Sequence, residues 1–225
     1  MMNLLSQHAV KNAKAALTLG AIVLISASCS YAQPPSKPLS KEVNKEESTE
    51  AVVTLAGGCF WCTEAVFEQM RGINDVVSGY IGGHTKNPDY KSVCTGTTGH
   101  AEAVEIYYNP AETTYEEILE VFFKTHDPTT LNKQGADEGT QYRSAIFYRD
   151  EAEKEKAAAY IDKLNKAGEF NRLIVTTLEP ATEFYTAEEY HQDYFRKNPN
   201  AGYCQAVVKN KVRKFQRAFG DKMKK

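Results

Sequence analysis

Charge of one dominant sign is missing from this sequence: 27 Lys and Arg stand against 29 Asp and Glu over 225 residues, a formal net charge of -2. No basic stripe and no acidic block runs along it, which argues against nucleic acid or an anionic membrane surface as the main partner. A bilayer-spanning run is missing too. The uncharged stretch Ala15 to Ala27 falls short of the roughly 20 apolar residues that a spanning helix needs. There is no internal repeat, and no metal, nucleotide or flavin motif is visible. What remains is a chain of 42% hydrophobic and 25% charged residues, enough for one ordinary core, so one domain plus extensions is expected.

Lys11 and Lys14 before the apolar run Ala15–Ala27, then Ser30-Tyr31-Ala32, have the form of a signal peptide cleaved before Gln33. A competing processing route starts a mature lipoprotein at Cys29, after Ser26-Ala27-Ser28. On either route the chain is exported, to a periplasmic or cell-envelope location. Residues 33–50 contain Pro34, Pro35 and Pro38 among Ser, Lys and Glu and cannot bury enough surface to offset their ordering entropy, so they form a flexible linker. The organisation expected is residues 1–32 signal peptide, 33–50 linker and 51–225 catalytic domain.

Within that domain strands and helices alternate. Strands are expected at Ala51–Leu55, Val76–Tyr80, Glu102–Tyr108, Gln141–Tyr148 and Leu173–Leu178. Helices are expected over Phe60–Met70, over Tyr115–Lys124 behind a Thr114/Glu117 capping box, over Glu151–Ala167 with Gly168 as terminator, from a Thr186/Glu189 box, and over Val207–Phe219. Long turn-rich loops fill Gly82–Gly99 and Asp127–Thr140. The alternation points to an α/β or α+β layer fold.

Cysteine use is the most informative local feature. Apart from Cys29, four remain: Cys59, Cys62, Cys94 and Cys204. Structural disulfides suit an oxidising compartment. The two-residue gap between Cys59 and Cys62 suits a zinc knuckle, but Cys94 and Cys204 stand alone where a second close pair would be needed. A redox thiol is the third reading. Cys59 falls between a Gly-Gly turn and a helix start, where unpaired backbone N–H groups favour the thiolate. Phe60 and Trp61 could wall the sulfur, and Cys94 reads as packing.

Glu102 is the second clue. On its strand Glu102, Val104, Ile106 and Tyr108 share one face, and Ala101, Ala103, Glu105 and Tyr107 the other. A carboxylate leading an apolar face is costly unless paired or protonated, and a protonated buried Glu is a proton donor. The plainer alternative is a strand-end Glu that reaches water. From the residues alone, thiol chemistry beside an acid is the furthest conclusion.

Gly58-Cys59-Phe60-Trp61-Cys62 with Glu64 resembles the active-site signature of the A-type peptide methionine sulfoxide reductases. The resemblance continues through Gly79-Tyr80, Gly82-Gly83, Asn87-Pro88, Tyr90, Thr98 to Val104, Phe122, His126-Asp127-Pro128, Gly139 to Ala145, His191-Gln192, Asn198-Pro199 and Gly202-Tyr203-Cys204, covering roughly Val52 to Cys204. It implies an α+β two-layer sandwich with a ferredoxin-like core, a mixed sheet and surrounding helices. It also implies reduction of methionine S-sulfoxide, protein-bound and free, as a repair of oxidative damage. By position, Cys59 attacks the sulfoxide sulfur. Glu102, with the hydroxyls of Tyr90 and Tyr142, binds the oxygen and supplies protons. Phe60 and Trp61 hold the methyl group, and Asp137 orders the pocket. The Cys59 sulfenic acid then condenses with a second thiol, and an external dithiol such as thioredoxin reduces the disulfide, with no bound cofactor and no metal. The enzyme is expected to act as a monomer.

The second thiol is open. Cys204 matches the resolving cysteine of many relatives, but a basic segment follows it here instead of a Gly-rich tail with a further cysteine. Cys62, three residues from Cys59, could close a short disulfide instead and is slightly favoured. Two other functions compete. A thioredoxin-type disulfide oxidoreductase would use Cys59 and Cys62 without needing Glu102 or Tyr142. A binding module for oxidised or aromatic ligands would tolerate Cys59→Ser.

Overall fold

Alternation along one strand decides the two faces of the sheet. In the computed structural model, which describes residues 50–224, strand β3 (Ala101–Tyr108) turns Val104, Ile106 and Tyr108 into the main core. Ala101 and Ala103 face a smaller cluster on the opposite side. The expected signal peptide and nearly all of the linker lie outside the described residues.

Strand β1 (Ala51–Gly57) pairs antiparallel with β3, Leu55 opposite Val104, and on its other edge with β6 (Ser144–Tyr148), Leu55 opposite Ile146. Strand β2 (Ile73–Ile81) pairs antiparallel with β3 and sets Tyr80 opposite Glu102. A short hairpin, β4 (Lys133–Gln134) with β5 (Asp137–Glu138), forms apart from the main sheet. Strand β7 (Thr177–Pro180) runs parallel to β6, and β8 (Tyr185–Thr186) closes the far edge on β2. The order β7-β6-β1-β3-β2-β8, with one parallel pair, is the mixed sheet with surrounding helices that was expected.

The helices are α1 (Phe60–Phe67), α2 (Tyr90–Cys94), α3 (Tyr115–Thr125), α4 (Glu151–Ala167), α5 (Tyr194–Lys197) and α6 (Lys209–Ala218). Helix α3 starts from the expected capping box: Glu117 N–H donates to Thr114 Oγ1 (3.2 Å) and Thr114 N–H to Glu117 Oε2 (3.0 Å). Such a cap contributes about 1 kcal/mol. Asp150 caps α4, and Gly168, left-handed at φ 64°, ends it. Phe67, Val66, Ile118, Phe122, Val212 and Phe215 from α1, α3 and α6 fill the main core against the sheet.

Several boundaries differ from the sequence expectation. Helix α1 stops at Phe67 rather than Met70. The loop Gly82–Gly99 contains α2, started by an Asp89/Ser92 capping box. The expected strand over Leu173–Leu178 begins four residues later, at Thr177, because Leu173 is 73% exposed and Thr177 is the first residue to reach β6. No helix starts at Thr186, whose backbone is committed to pairing with Gly79 in β8; Glu189–His191 instead makes one 3-10 turn. Gln141 and Tyr142 belong to a 3-10 turn before β6, and a π turn at Cys204–Val208 precedes α6. The near-neutral total charge conceals a small basic face: Arg213, Lys214 and Arg217 of α6 are all exposed.

Candidate active site

The turn between β1 and α1 is built for close approach. Gly58 has φ 90°, and a Cβ there would lie 2.5 Å from the Gln134 side chain, so a side chain is excluded twice over. Cys59 follows as the N-cap of α1 and is only 6% exposed. Phe60 N–H, one of the unpaired amides at this helix end, donates to Glu102 Oε2 at 3.1 Å. The nucleophile candidate and the acid candidate, 43 residues apart in the chain, are thereby joined through one backbone amide.

Glu102 is 1% exposed. Burial pushes its carboxyl up to about 8 even though the Phe60 amide favours the anion, and the nearby Asp137 charge adds to the rise. It is therefore protonated at neutral pH, as the strand pattern suggested, and it does not reach water. The Tyr90 and Tyr142 hydroxyls are half-buried in the same region. Both are pushed up, first by burial, so both remain O–H donors. Tyr90 opens α2, and its N–H donates to Glu188 Oε1 (2.9 Å).

The expectation of a lowered Cys59 thiol needs correction. Burial pushes Cys59 well up, and the neighbouring Cys62 thiol pushes it further. The same pairing pulls Cys62 down to about 7. The amides at the helix end are outweighed by desolvation at Cys59, and the two thiols titrate as a pair, with Cys62 the lowered member. Cys62 N–H also bonds the Cys59 carbonyl (3.1 Å), holding the pair within one turn.

Cys204 is fully buried in the π turn, and burial pushes its thiol up. All four cysteines among the described residues are free. Cys94, expected in packing, is instead exposed at the end of α2, beside the Tyr90 side chain.

An aromatic wall stands next to the thiols. Phe60 lies 6.5 Å from Tyr90 between ring centroids in a stacked arrangement, and 5.1 Å from His191. Trp61 stacks on Tyr194 at 3.7 Å with 7° between planes and meets Tyr203 edge-on. Asp137, on β5, accepts the Tyr203 hydroxyl hydrogen at 2.6 Å, and that hydroxyl lies 4.0 Å from Cys62 Sγ. Asp137 thus orders the site through Tyr203.

The nine expected site residues fall in and around this region; Cys204 shares the main core with Cys59 and Cys62. Three contributors were not singled out from sequence. Tyr203 was visible only as the neighbour of Cys204. His191 was visible only as part of His191-Gln192. Glu64, in the signature itself, is 1% exposed and accepts from Ser78 Oγ (3.1 Å), Asp193 N–H (3.0 Å) and Tyr194 N–H (3.1 Å), which fixes the turn that carries Tyr194.

Similarity to known proteins points the same way. Residues 51–223 match the family described as Peptide methionine sulfoxide reductase. Over 180 residues the chain is 67% identical to "Peptide methionine sulfoxide reductase MsrA 1" of Rhodopirellula baltica, covering 80% of this chain and 93% of that one. It is 47% identical over 198 residues to the MsrA of Deinococcus radiodurans, covering 86% and 96%. Among solved structures, reduced Mxr1 from Saccharomyces cerevisiae superposes with a TM-score of 0.64 at 37% identity, covering 74% of this chain and 95% of that one.

Proposed function

The chain belongs to the peptide methionine sulfoxide reductase family and reduces methionine sulfoxide to methionine, and we propose that Cys59 is the nucleophile and Glu102 the acid of that reaction. The observation that carries this assignment is the Phe60 N–H bond to Glu102, which holds a neutral carboxylic acid at the turn bearing Cys59. A sulfoxide oxygen leaves poorly unless protonated, so the reaction needs a sulfur nucleophile and a neutral acid together in a site that limits water. The Cys59 proton passes to the ionised Cys62 thiol of the same turn as Cys59 attacks the sulfoxide sulfur. Glu102 protonates the oxygen, and the Tyr90 and Tyr142 hydroxyls donate hydrogen bonds to it. Methionine departs and Cys59 retains the oxygen as sulfenic acid.

Cys62 then attacks the Cys59 sulfur, water leaves, and a Cys59–Cys62 disulfide forms. The single turn that holds the two thiols, closed by the Cys62 N–H bond to the Cys59 carbonyl, and the lowering of the Cys62 thiol to about 7 support Cys62 over Cys204, whose own thiol is pushed up by burial. An external dithiol of thioredoxin type restores both thiols by exchange, giving one methionine and one water per dithiol oxidised. Phe60 and Trp61 receive the substrate methyl group, with preference for the S epimer. The test of the pairing is disulfide mapping after one turnover without reductant. A peptide linking Cys59 to Cys204 would overturn it.

The lysines and apolar run before Cys29 support export, with cleavage before Gln33 or lipid attachment at Cys29. Mass analysis of the mature N-terminus tests this, and a protein that retains Met1 would refute it.

A further inference from the structure

His191 takes no part in the chemistry above, yet it is 1% exposed and lies against Phe60, Trp61 and Tyr90 of the site wall. Its ring centroid lies 5.1 Å from Phe60, 5.5 Å from Trp61, 4.4 Å from Tyr90 and 4.1 Å from Tyr190. Its Nδ1 is 3.1 Å from Trp61 Nε1. An indole nitrogen can only donate, so Nδ1 is the acceptor and the imidazole proton sits on Nε2. That Nε2–H has no hydrogen-bond partner among the described residues; Glu188 Oε2 lies 3.9 Å away. A buried orphan donor costs about 1–3 kcal/mol, which calls for a reason to keep a histidine here.

The geometry of Trp61 supplies the reason. Stacking on Tyr194 at 3.7 Å fixes the plane of the indole but not which way its Nε1 edge faces, because a half-turn about the Cβ–Cγ bond keeps the stack. The bond to His191 Nδ1 fixes the rotation. Three residues earlier in the same turn, Glu188 accepts Tyr90 N–H and Tyr80 O–H, both at 2.9 Å. One short segment therefore holds both walls, Trp61 through His191 and Tyr90 through Glu188.

We propose that His191 is a positioning residue, whose Nδ1 sets the rotation of the Trp61 indole while the turn it shares with Glu188 keeps that indole in register with Tyr90. The consequence for substrate rests on the reading that Trp61 contacts the sulfoxide methyl group. Phenylalanine in place of His191 keeps the ring and its packing and removes the acceptor. Asparagine keeps an acceptor near the Nδ1 position.

Trp61 is the single tryptophan of the chain, so its signals are unambiguous. In the intact full-length protein, the one indole N–H resonance should exchange slowly with solvent, and tryptophan emission should shift in His191→Phe and return in His191→Asn. Loss of one hydrogen bond of this kind should raise KM for a methionine sulfoxide peptide about ten-fold in His191→Phe, with kcat changed much less and KM restored in His191→Asn. Unchanged emission and unchanged KM in His191→Phe would overturn the proposal. Shifted emission with unchanged KM would leave the indole placement standing and refute the methyl contact at Trp61. Should His191→Phe not fold, fast exchange of the indole N–H in the unaltered protein would be enough to reject the bond.

Discussion

The Phe60 amide and the Glu102 carboxyl, 3.1 Å apart, tie the acid to the turn that presents the nucleophile. Movement of either strand β3 or helix α1 alone would break that bond. The bond also opposes the effect of burial on Glu102: the amide favours the anion, burial disfavours it, and burial wins, leaving the carboxyl near 8.

That balance sets the pH profile. Turnover requires Glu102 protonated, which holds below about 8, and the thiol pair ionised once, which holds above about 7. A narrow bell in kcat/KM is expected, with limbs near those two values. Glu102→Gln should lose the alkaline limb and fall by about 10²–10⁴-fold, the usual contribution of a positioned acid. An alkaline limb that persists in Glu102→Gln would assign it to another group.

The two candidate resolving thiols separate by reductant. With thioredoxin, Cys62→Ser should stop after one methionine per enzyme, because the sulfenic acid on Cys59 has no neighbouring thiol to condense with. Cys204→Ser should keep turning over; with dithiothreitol both variants should exceed one methionine per enzyme, Cys62→Ser more slowly because it has lost the group that takes the Cys59 proton. Rapid-quench product counts decide it, and a Cys204→Ser variant that stalls alone would transfer the role to Cys204.

Glu64 should matter more for stability than for chemistry. Glu64→Ala leaves Ser78 Oγ–H and the Asp193 and Tyr194 amides without their acceptor, at a cost of about 3 kcal/mol or more. Urea unfolding should record that loss. Because Tyr194 underlies Trp61, KM should rise as well. A change under 1 kcal/mol, on the order of one ordinary hydrogen bond, would mean that water replaces the carboxyl.

Much of this arrangement was legible in the residues, for identifiable reasons. Period-two alternation placed Val104 and Ile106 inward with Glu102 leading them, because one strand face must be apolar to pack on α1 and α3. Capping chemistry located α3, and a left-handed glycine ended α4, because both signals are local. The thiol pKa was not legible: amides at a helix end argue for a lowered Cys59, and only the packed site reveals that desolvation outweighs them. The roles of His191 and Tyr203 depend on contacts 130 residues and 66 residues away in sequence, to Trp61 and Asp137, which no local pattern encodes. Thr186 and Glu189 had the spacing of a capping box, but pairing with β2 claimed Thr186 first.

His126 should govern part of the acid stability. It is buried, with Nδ1–H donated to the Phe122 carbonyl (2.7 Å) and Nε2 accepting from Ser144 Oγ (2.8 Å), and burial holds its imidazole down to about 3. In the unfolded chain it takes up a proton near 6.5. Between those values the unfolded state binds the extra proton, so stability falls as pH falls, by up to about 1.4 kcal/mol per pH unit. Denaturant titrations from pH 6.5 to 4 should show a steeper loss in the unaltered protein than in His126→Gln, and parallel curves would contradict this.

The proposed reaction turns on Cys59 as the attacking sulfur. The most direct measurement is mass-resolved reduction of separated S and R methionine sulfoxide peptides by the chain and by Cys59→Ser, with dithiothreitol as reductant. The expected result is S-epimer reduction by the unaltered chain and a loss of several orders of magnitude in Cys59→Ser, because no other thiol is joined to the Glu102 acid through Phe60. Substantial S-epimer reduction by Cys59→Ser would mean that another sulfur is the nucleophile.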